Sequence, residues 1–550
     1  MKKLLKKIIP DWMINIYHWK LALLGALVYG WPSKKIKVIG VTGTKGKSTV
    51  VVLAGKILQE NITPSQSPPY QGGEEKSKSL LTSLYGKGGA ENPPQPSPLK
   101  GEGEIVNPPT PLCVRGAEDE WDCIKGEKET APFVRGGAGG LRIGWISSLT
   151  INDGKNEKMN PYHMTMPGRF FIQKTLARMV KNGCEYALVE VTSEGIKQHR
   201  HRFIKWAGAV FTNLATEHIE AHGGFEKYRE AKEKLFATAS KNQESFGVYN
   251  LDDSNVEWFL RYPVSKKYGY GFLTSPPAVA EAMAGKQPSP LKGEGVNPPT
   301  HLSRGGEGGL EKVQISNVRL NANGSEFEIN NVKFKTNLLG EFNIYNCAAA
   351  AAIGVACGIS LEVAAQALGK IQSIPGRLEI INEGQDFIVV VDLAHTPDSF
   401  EQVFKLFKKL KNSPHPNPPL EKGRENMGKI ISVFGSAGGG RDKWKRPELG
   451  RIASENSDII IITNEDPYEE NPQTIVDEIA VGCKNTKPEI ILDRRAAISR
   501  ALSLAQEGDI VLILGKGTEQ TMVIGNKKYN WDDRFVVREE IKKLKNSSSC

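Results

Sequence analysis

The sequence predicts an α/β protein of two domains, the first assembled around a phosphate-binding loop. Three observations predict it. An apolar run at 36–41 enters the glycine turn Gly43-Thr44-Lys45-Gly46-Lys47-Ser48-Thr49, and an apolar segment with helical potential follows at 50–58. Short apolar runs at 141–146, 187–191 and 209–213 alternate with helical spacing such as 170–181, the signature of a parallel sheet covered by helices. A second block begins near Pro375-Gly376-Arg377, with strands expected at 387–392, 429–434, 459–463 and 510–514 and helices between them.

The order strand, glycine turn, Lys-Ser, helix is that of a phosphate-binding loop. Glycines let backbone N–H groups converge on a polyphosphate, and a helix N-terminus adds its positive end. Lys47 would reach the terminal phosphates, and the Ser48 hydroxyl suits Mg²⁺. The full pattern G-x-x-x-x-G-K-[ST] is shortened here to G-T-x-G-K-S, with Val41 where a glycine is usual. In parallel sheets ligands sit beyond the carboxyl ends of strands, which places Glu190, Asn213 and His218 near the loop. An acid at a strand end, Glu190, suits a hard cation. Lys232 falls on a helix, where a lysine is ordinarily solvated surface.

Composition bounds the rest. The 550 residues are 24% charged and 39% hydrophobic, with a net charge of +10, ordinary for a globular chain with two or three cores. A basic surface suits a polyanionic substrate. No zinc-finger spacing or aromatic–basic RNA motif points to nucleic acid. The seven cysteines are scattered with no C-x-x-C pair, which argues for a reducing, cytoplasmic compartment and against structural zinc. Residues 1–35 open with the basic MKKLLKKII, and the apolar stretch at 21–29 is too short to span a bilayer. Two readings of this segment stand: a helix packed on the next domain, or a helix lying on the inner membrane surface.

Three segments lose all periodicity: 63–140, about 275–311 and about 412–428. QPSPLKGEG at 95–103 returns unchanged at 287–295, NPPT follows each copy, and NPPLEKGR at 417–424 is a shorter relative. With no apolar face and no fixed period they read as low-complexity insertions at surface turns, not as a solenoid.

The ordered motifs together resemble the Mur ligase family, the ATP-dependent amide-forming enzymes of peptidoglycan synthesis, and within it the tripeptide-synthetase type. GTKGKST is similar to G-T-N-G-K-T, and EVTSEGIKQHR at 190–200 to E-V-S-S-H-x-L-x-Q-x-R. FTNLATEHIEAHG, REAKEKLF, LGEFNIYN at 339–346, IPGRLE, VVDLAHTPDSF, RDKWKRP and GKGTE then follow in family order. The resemblance runs from about residue 36 to 540, outside the insertions. It implies a central P-loop ATPase domain at 36–373 with a parallel sheet, and a Rossmann-like C-terminal domain at 374–545. Family members usually carry a uridine-binding domain before the loop, and 35 residues precede Ile36 here.

The resemblance also implies roles. Gly43, Thr44, Gly46, Lys47, Ser48 and Thr49 would hold ATP phosphates. Ser48 and Glu190 would hold a first Mg²⁺, and His218 with a carbamylated Lys232 a second. Asn343 and Asn346 would contact the nucleotide base, while Arg377, Asp392, His395 and Lys443 would close from the second domain. Thr165, Met166, Thr192, Gln198 and Arg200 would contact a UDP-muramoyl-dipeptide. Arg441, Glu465, Asp466, Gly515 and Glu519 would hold the incoming amino acid. The family motif D-N-P-R reads Glu465-Asp466-Pro467-Tyr468 here, so the arginine that pairs with a distal carboxylate is missing. That argues against diaminopimelate and leaves lysine or another diamino acid open. Glu194 stands where the family has His. A monomer is expected. Two alternatives remain: a related ligase acting on another carboxylate, of the cyanophycin or folylpolyglutamate type, and a non-catalytic nucleotide-binding homologue.

Overall fold

The computed structural model describes residues 10–60, 141–162, 164–215, 222–272, 309–321, 324–411 and 428–548. The three low-complexity segments lie almost entirely outside these residues, as do Glu217 and His218. The second segment ends sooner than its composition suggests, because a long strand already begins at Leu310.

The strand that leads into the glycine loop sits inside the first sheet. Among the described residues that sheet has eleven strands: β1 (Lys37–Thr42), β2 (Ile143–Ile146), β3 (Thr150–Asn152), β4 (Glu157–Met159), β5 (Tyr186–Glu190), β6 (Trp206–Phe211), β7 (Phe246–Asn250), β8 (Lys266–Gly271), β9 (Leu310–Asn321), β10 (Gly324–Ile329) and β11 (Val332–Thr336). Their order is β11-β10-β9-β8-β7-β6-β1-β5-β2-β3-β4. The middle is parallel, as the continuous apolar runs require of strands buried on both faces. Both margins are antiparallel, at β3–β4 and β9–β11, so the sheet is mixed where a parallel one was expected. In β10 and β11 apolar and charged residues alternate, Phe327 against Phe334 inside and Glu326 against Lys335 outside, which fits one solvated face.

Register places the chemistry. Val41 of β1 lies opposite Glu190 of β5, and Thr42 opposite Phe211 of β6. The carboxyl ends of three central strands therefore meet at the glycine loop. Eight helices matter below: α1 (Asp11–Val28), α2 (Lys47–Gln59), α3 (Arg169–Lys181), α4 (Ser193–Lys197), α5 (Phe225–Ala239), α6 (Glu341–Ala356), α7 (Pro397–Lys411) and α8 (Lys445–Asn456). The alanine run Ala348–Ala352 of α6 is fully buried against α2, since small side chains let two helices approach closely.

The second sheet runs β12 (Glu379–Ile381), β13 (Ile388–Asp392), β17 (Ile510–Leu514), β14 (Ile430–Phe434), β15 (Ile459–Ile462), β16 (Glu489–Ile490), parallel except for β12. Each sequence-predicted strand of this block forms within a residue of its expected limits. A buried bidentate pair, Arg494 to Asp533 at 2.6 and 2.8 Å, ties the helix after β16 to the C-terminal helix.

Candidate active site

The glycine loop is fastened to the end of β6. Thr44 N–H donates to the Asn213 carbonyl at 2.8 Å and Lys45 N–H to Asn213 Oδ1 at 2.8 Å. The Thr212 hydroxyl donates back to the Lys45 carbonyl at 2.7 Å. Two glycines are obligatory. Gly43 has φ +149°, and a Cβ there would lie 2.0 Å from Thr212 Oγ1; Gly46 has φ +78°, and its Cβ would lie 2.2 Å from Asn346 Oδ1. Gly46 is also the N-cap of α2, and no side chain caps that helix. The first N–H groups of a helix have no partners within it, so this end of α2 is an anion cradle. Its residues face a cleft of about 590 Å³ lined from both domains.

On the first domain's side, Lys47 Nζ donates to the Thr44 carbonyl at 2.7 Å. Ser48 Oγ lies 2.6 Å from Ser148 Oγ, and Ser148 N–H donates to Glu190 Oε2 at 2.7 Å. Two hydroxyls and a buried carboxylate thus converge beside the cradle. That donor set is hard oxygen and fits Mg²⁺, which takes one or two carboxylates and fills its remaining positions with water and phosphate. Ser148 carries no motif signal and was reachable only through the β2–β5 pairing. Lys232, from α5, is buried beneath the loop; it donates to the Gly43 carbonyl and lies 4.5 Å from the Tyr228 ring centroid. It is therefore no solvated surface lysine, and it lies outside the lining of the cleft. His218, its expected partner, is outside the described residues.

Asn343 and Asn346 line the cleft from the start of α6 and are joined, Asn346 Nδ2 to Asn343 Oδ1, at 2.9 Å. Thr165 and Thr192 line it too. Thr192 is the N-cap of α4, with its hydroxyl accepting from Gly195 N–H. Three expected substrate residues take other positions. The Met166 side chain is buried in the core against Gly195, so only its backbone is available, and its carbonyl accepts from Arg200. Gln198 is held between Glu194 and Arg200, each contact 2.6 Å. Arg200 spends two nitrogens on Met166 and Gln198 and is set back from the cleft lining.

From the second domain, Asp392 ends β13 and accepts Leu378 N–H at 2.8 Å and Ala394 N–H at 2.7 Å. Burial pushes its carboxyl up, opposed by Arg377 and those two donors. Arg377 lines the cleft with a buried Nε that has no partner among the described residues. Burial, with Lys445 beside it, pushes the His395 imidazole down to about 3, so it is neutral at physiological pH. Lys45 on the loop forms an ion pair with Asp398 at the start of α7, which bridges the two domains at the cleft mouth. Lys443 is not at the cleft: it is exposed and paired with Glu470 at 3.2 Å. Lys445, two residues on, is the buried lysine of RDKWKRP, and its Nζ donates to the His395 carbonyl at 2.9 Å. Helical geometry explains the exchange, since Lys443 precedes α8 while Lys445 opens it and points inward.

The loops after β14, β15 and β17 gather an acidic cluster, of which Glu519 lines the cleft. Glu465 is 5% exposed and its Oε2 has no partner among the described residues. It lies against Gly515, where an added Cβ would approach Oε2 to 2.6 Å. Lys516, fully buried, donates to Asp466 at 2.9 Å and Glu519 at 2.6 Å. Burial pushes Glu519 up, and Lys516 opposes it. The Arg441 guanidinium lies 5.7 Å from the Tyr468 ring and donates to its hydroxyl at 3.3 Å. Lys516 stood inside the GKGTE motif, and its role as the internal counter-ion needed the fold to show.

Comparison with known proteins accords with this arrangement. Residues 142–285 match the Mur ligase middle domain, and residues 376–517 the Mur ligase, glutamate ligase domain. The UDP-N-acetylmuramoyl-L-alanyl-D-glutamate--2,6-diaminopimelate ligase of Geobacillus kaustophilus is 34% identical over 73% of this chain and 74% of its own length. The UDP-N-acetylmuramyl-tripeptide synthetase of Borreliella afzelii is 33% identical over 74% and 72%. Among solved structures, a Mycobacterium tuberculosis folylpolyglutamate synthase complexed with ADP and AMPPCP superposes with a TM-score of 0.55 at 12% identity, covering 97% of this chain and 99% of that one, a likeness of fold. With a relative of this identity and coverage, and with both domain matches in order on one chain, the protein belongs to the Mur ligase family.

Proposed function

We propose that this chain is an ATP-dependent ligase that adds an amino acid to a UDP-N-acetylmuramoyl-dipeptide in peptidoglycan synthesis, working as a cytoplasmic monomer. The observation that carries the reading is the single cleft in which an uncapped glycine-loop helix, the Ser48–Ser148–Glu190 oxygens and the second domain's Arg377 and His395 meet. ATP is a substrate. Its phosphates would lie on the N–H groups of 46–49 with Lys47 swinging from Thr44 to reach them, and Asn343 and Asn346 would contact the base. Mg²⁺, held by Ser48 and Glu190, would supply charge neutralisation.

The chemistry is a two-step acyl transfer. A carboxylate oxygen of the dipeptide attacks the γ-phosphorus as the bond to ADP breaks, giving an acyl phosphate. The amine of the incoming amino acid then attacks that carbonyl, phosphate departs with the C–O electron pair, and the amine loses a proton. Two anions must approach each other, so Lys47 and Arg377 offset their repulsion and the fixed loop holds them in line. Lys232, carbamylated, would present a carboxylate-like oxygen near Gly43 for a second metal. Thr165 and Thr192 would meet the dipeptide. The acidic cluster of Glu465 and Glu519 would receive ammonium groups and Arg441 the α-carboxylate, which favours a diamino acid lacking a distal carboxylate.

The test is phosphate release from ATP with UDP-N-acetylmuramoyl-dipeptide and a panel of single amino acids. Release that needs both the acceptor and one amino acid, with a product of the summed mass, supports the reading. Release with another carboxylate in place of the muramoyl acceptor moves the chain to a different substrate class.

A further inference from the structure

Helix α1 is built inside out. Its buried face is small: Ala22, Gly25 and Ala26 pack on α3, with Gly25 lying against the Arg169 backbone. Asn15 and His18 fix one edge, meeting His199 at 3.1 Å and Arg169. The opposite arc, roughly half the circumference at helical spacing, carries Trp12, Met13, Ile16, Tyr17, Trp19, Leu24, Leu27 and Val28. All eight face solvent, from 38% exposed at Trp19 to 63% at Trp12. Lys20, also exposed, falls within the same arc. A surface helix normally turns such residues inward, and single exposed apolar side chains are common where a continuous patch is not. No described helix is long and apolar enough to cross a membrane.

We infer that α1 is an interfacial helix that seats this chain on an anionic lipid surface, with its apolar arc among the headgroups. Two observations choose this occupant over a protein groove. The first is charge. Lys2, Lys3, Lys6 and Lys7 precede the helix with no acid among residues 1–10, and Lys34 and Lys35 are exposed just after it. Basic residues beside an apolar face are what a negatively charged bilayer attracts. The second is chemistry: three of the eight side chains are Trp or Tyr, residues that favour the boundary between headgroups and hydrocarbon. The inference is independent of the ligase reading, because α1 touches the first domain through α3, His199 and Phe203 and contributes no side chain to the cleft lining.

The test is co-sedimentation of the full chain with vesicles of phosphatidylcholine, with and without phosphatidylglycerol. Binding to the anionic vesicles should exceed binding to the neutral ones about tenfold or more and weaken with salt. The double variant Ile16→Glu with Leu24→Glu should lose at least about tenfold in vesicle affinity while phosphate release in solution stays unchanged. If that variant misfolds, brominated phosphatidylglycerol should quench tryptophan emission of the native chain, and Trp12→Phe should remove much of the quenched component. Failure to sediment with either vesicle, or equal binding by the double variant, overturns the inference. So does a native dimer that the double variant splits, which would assign the arc to a second copy.

Discussion

Replacing Gly46 by Ala tests the loop at its tightest point. Two terms set the cost. An Ala at φ +78° is held in the left-handed region, about 1–2 kcal/mol. Its Cβ would also stand 2.2 Å from Asn346 Oδ1, so the Asn346 amide must turn and give up its 2.9 Å bond to Asn343, about 1 kcal/mol more. The sum is about 2–3 kcal/mol. Where it appears depends on the free protein. If the loop keeps its shape without nucleotide, the strain is present in both bound and free states, cancels in binding, and appears as lost stability. If the free loop relaxes, the strain returns on binding and appears as about a 30- to 150-fold weaker affinity for a non-hydrolysable ATP analogue. Calorimetric titration and chemical denaturation of the same variant measure both parts, and their losses should add to the total. A variant with native stability and native affinity would refute the geometry assigned to Gly46, because no third place exists for the strain to go.

Three further outcomes are expected. Lys232→Ala should abolish ligation, with partial recovery in small added carboxylates, read as phosphate release; full activity without rescue would remove the metal-bridging role proposed for it. Lys445→Met should lower kcat at least about tenfold with little change in the KM for the dipeptide, because His395 loses the donor that fixes its carbonyl, whereas Lys443→Met should be near neutral; the reverse ranking in steady-state assays would restore Lys443 to the site. Burial and nearby Arg202 hold the His201 imidazole down to about 3, so the fold favours its neutral form: stability is full above the unfolded value near 6.5 and is lost as pH falls toward 3, the loss reaching about 2 kcal/mol by pH 5. In His201→Leu the acid slope of denaturation midpoints should flatten by about one proton, and an unchanged slope would contradict the burial argument.

The sequence made the parallel strands legible because strands covered on both faces must be apolar along their length, as in IVVVD, IISVF and IVLIL. It left the margins unread. β9–β11 alternate polar and apolar residues and sit immediately after a low-complexity stretch, so local pattern gave no reason to join them to the central sheet. The loop, Glu190, Asn343, Asn346, Arg377, Asp392 and His395 were all placed at the cleft by motif order. Residues missed or misplaced share a cause: their roles depend on which way a side chain points. Met166 turns into the core, Lys443 toward Glu470 and Lys445 inward. Ser148 and Lys516 become visible only when strand pairing brings them beside Ser48 and between Asp466 and Glu519. The apolar letters of α1 were equally visible, but their exposure depends on which face the small residues Ala22, Gly25 and Ala26 commit to α3.

The most direct test of the central claim labels the carboxylate of the UDP-N-acetylmuramoyl-dipeptide with heavy oxygen and follows the label by mass spectrometry of the released phosphate. The account predicts that each phosphate formed carries one labelled oxygen, since that atom bridges carbon and phosphorus in the acyl phosphate and leaves with phosphorus. Phosphate free of label, released at a rate indifferent to the dipeptide, would contradict ligation at this cleft.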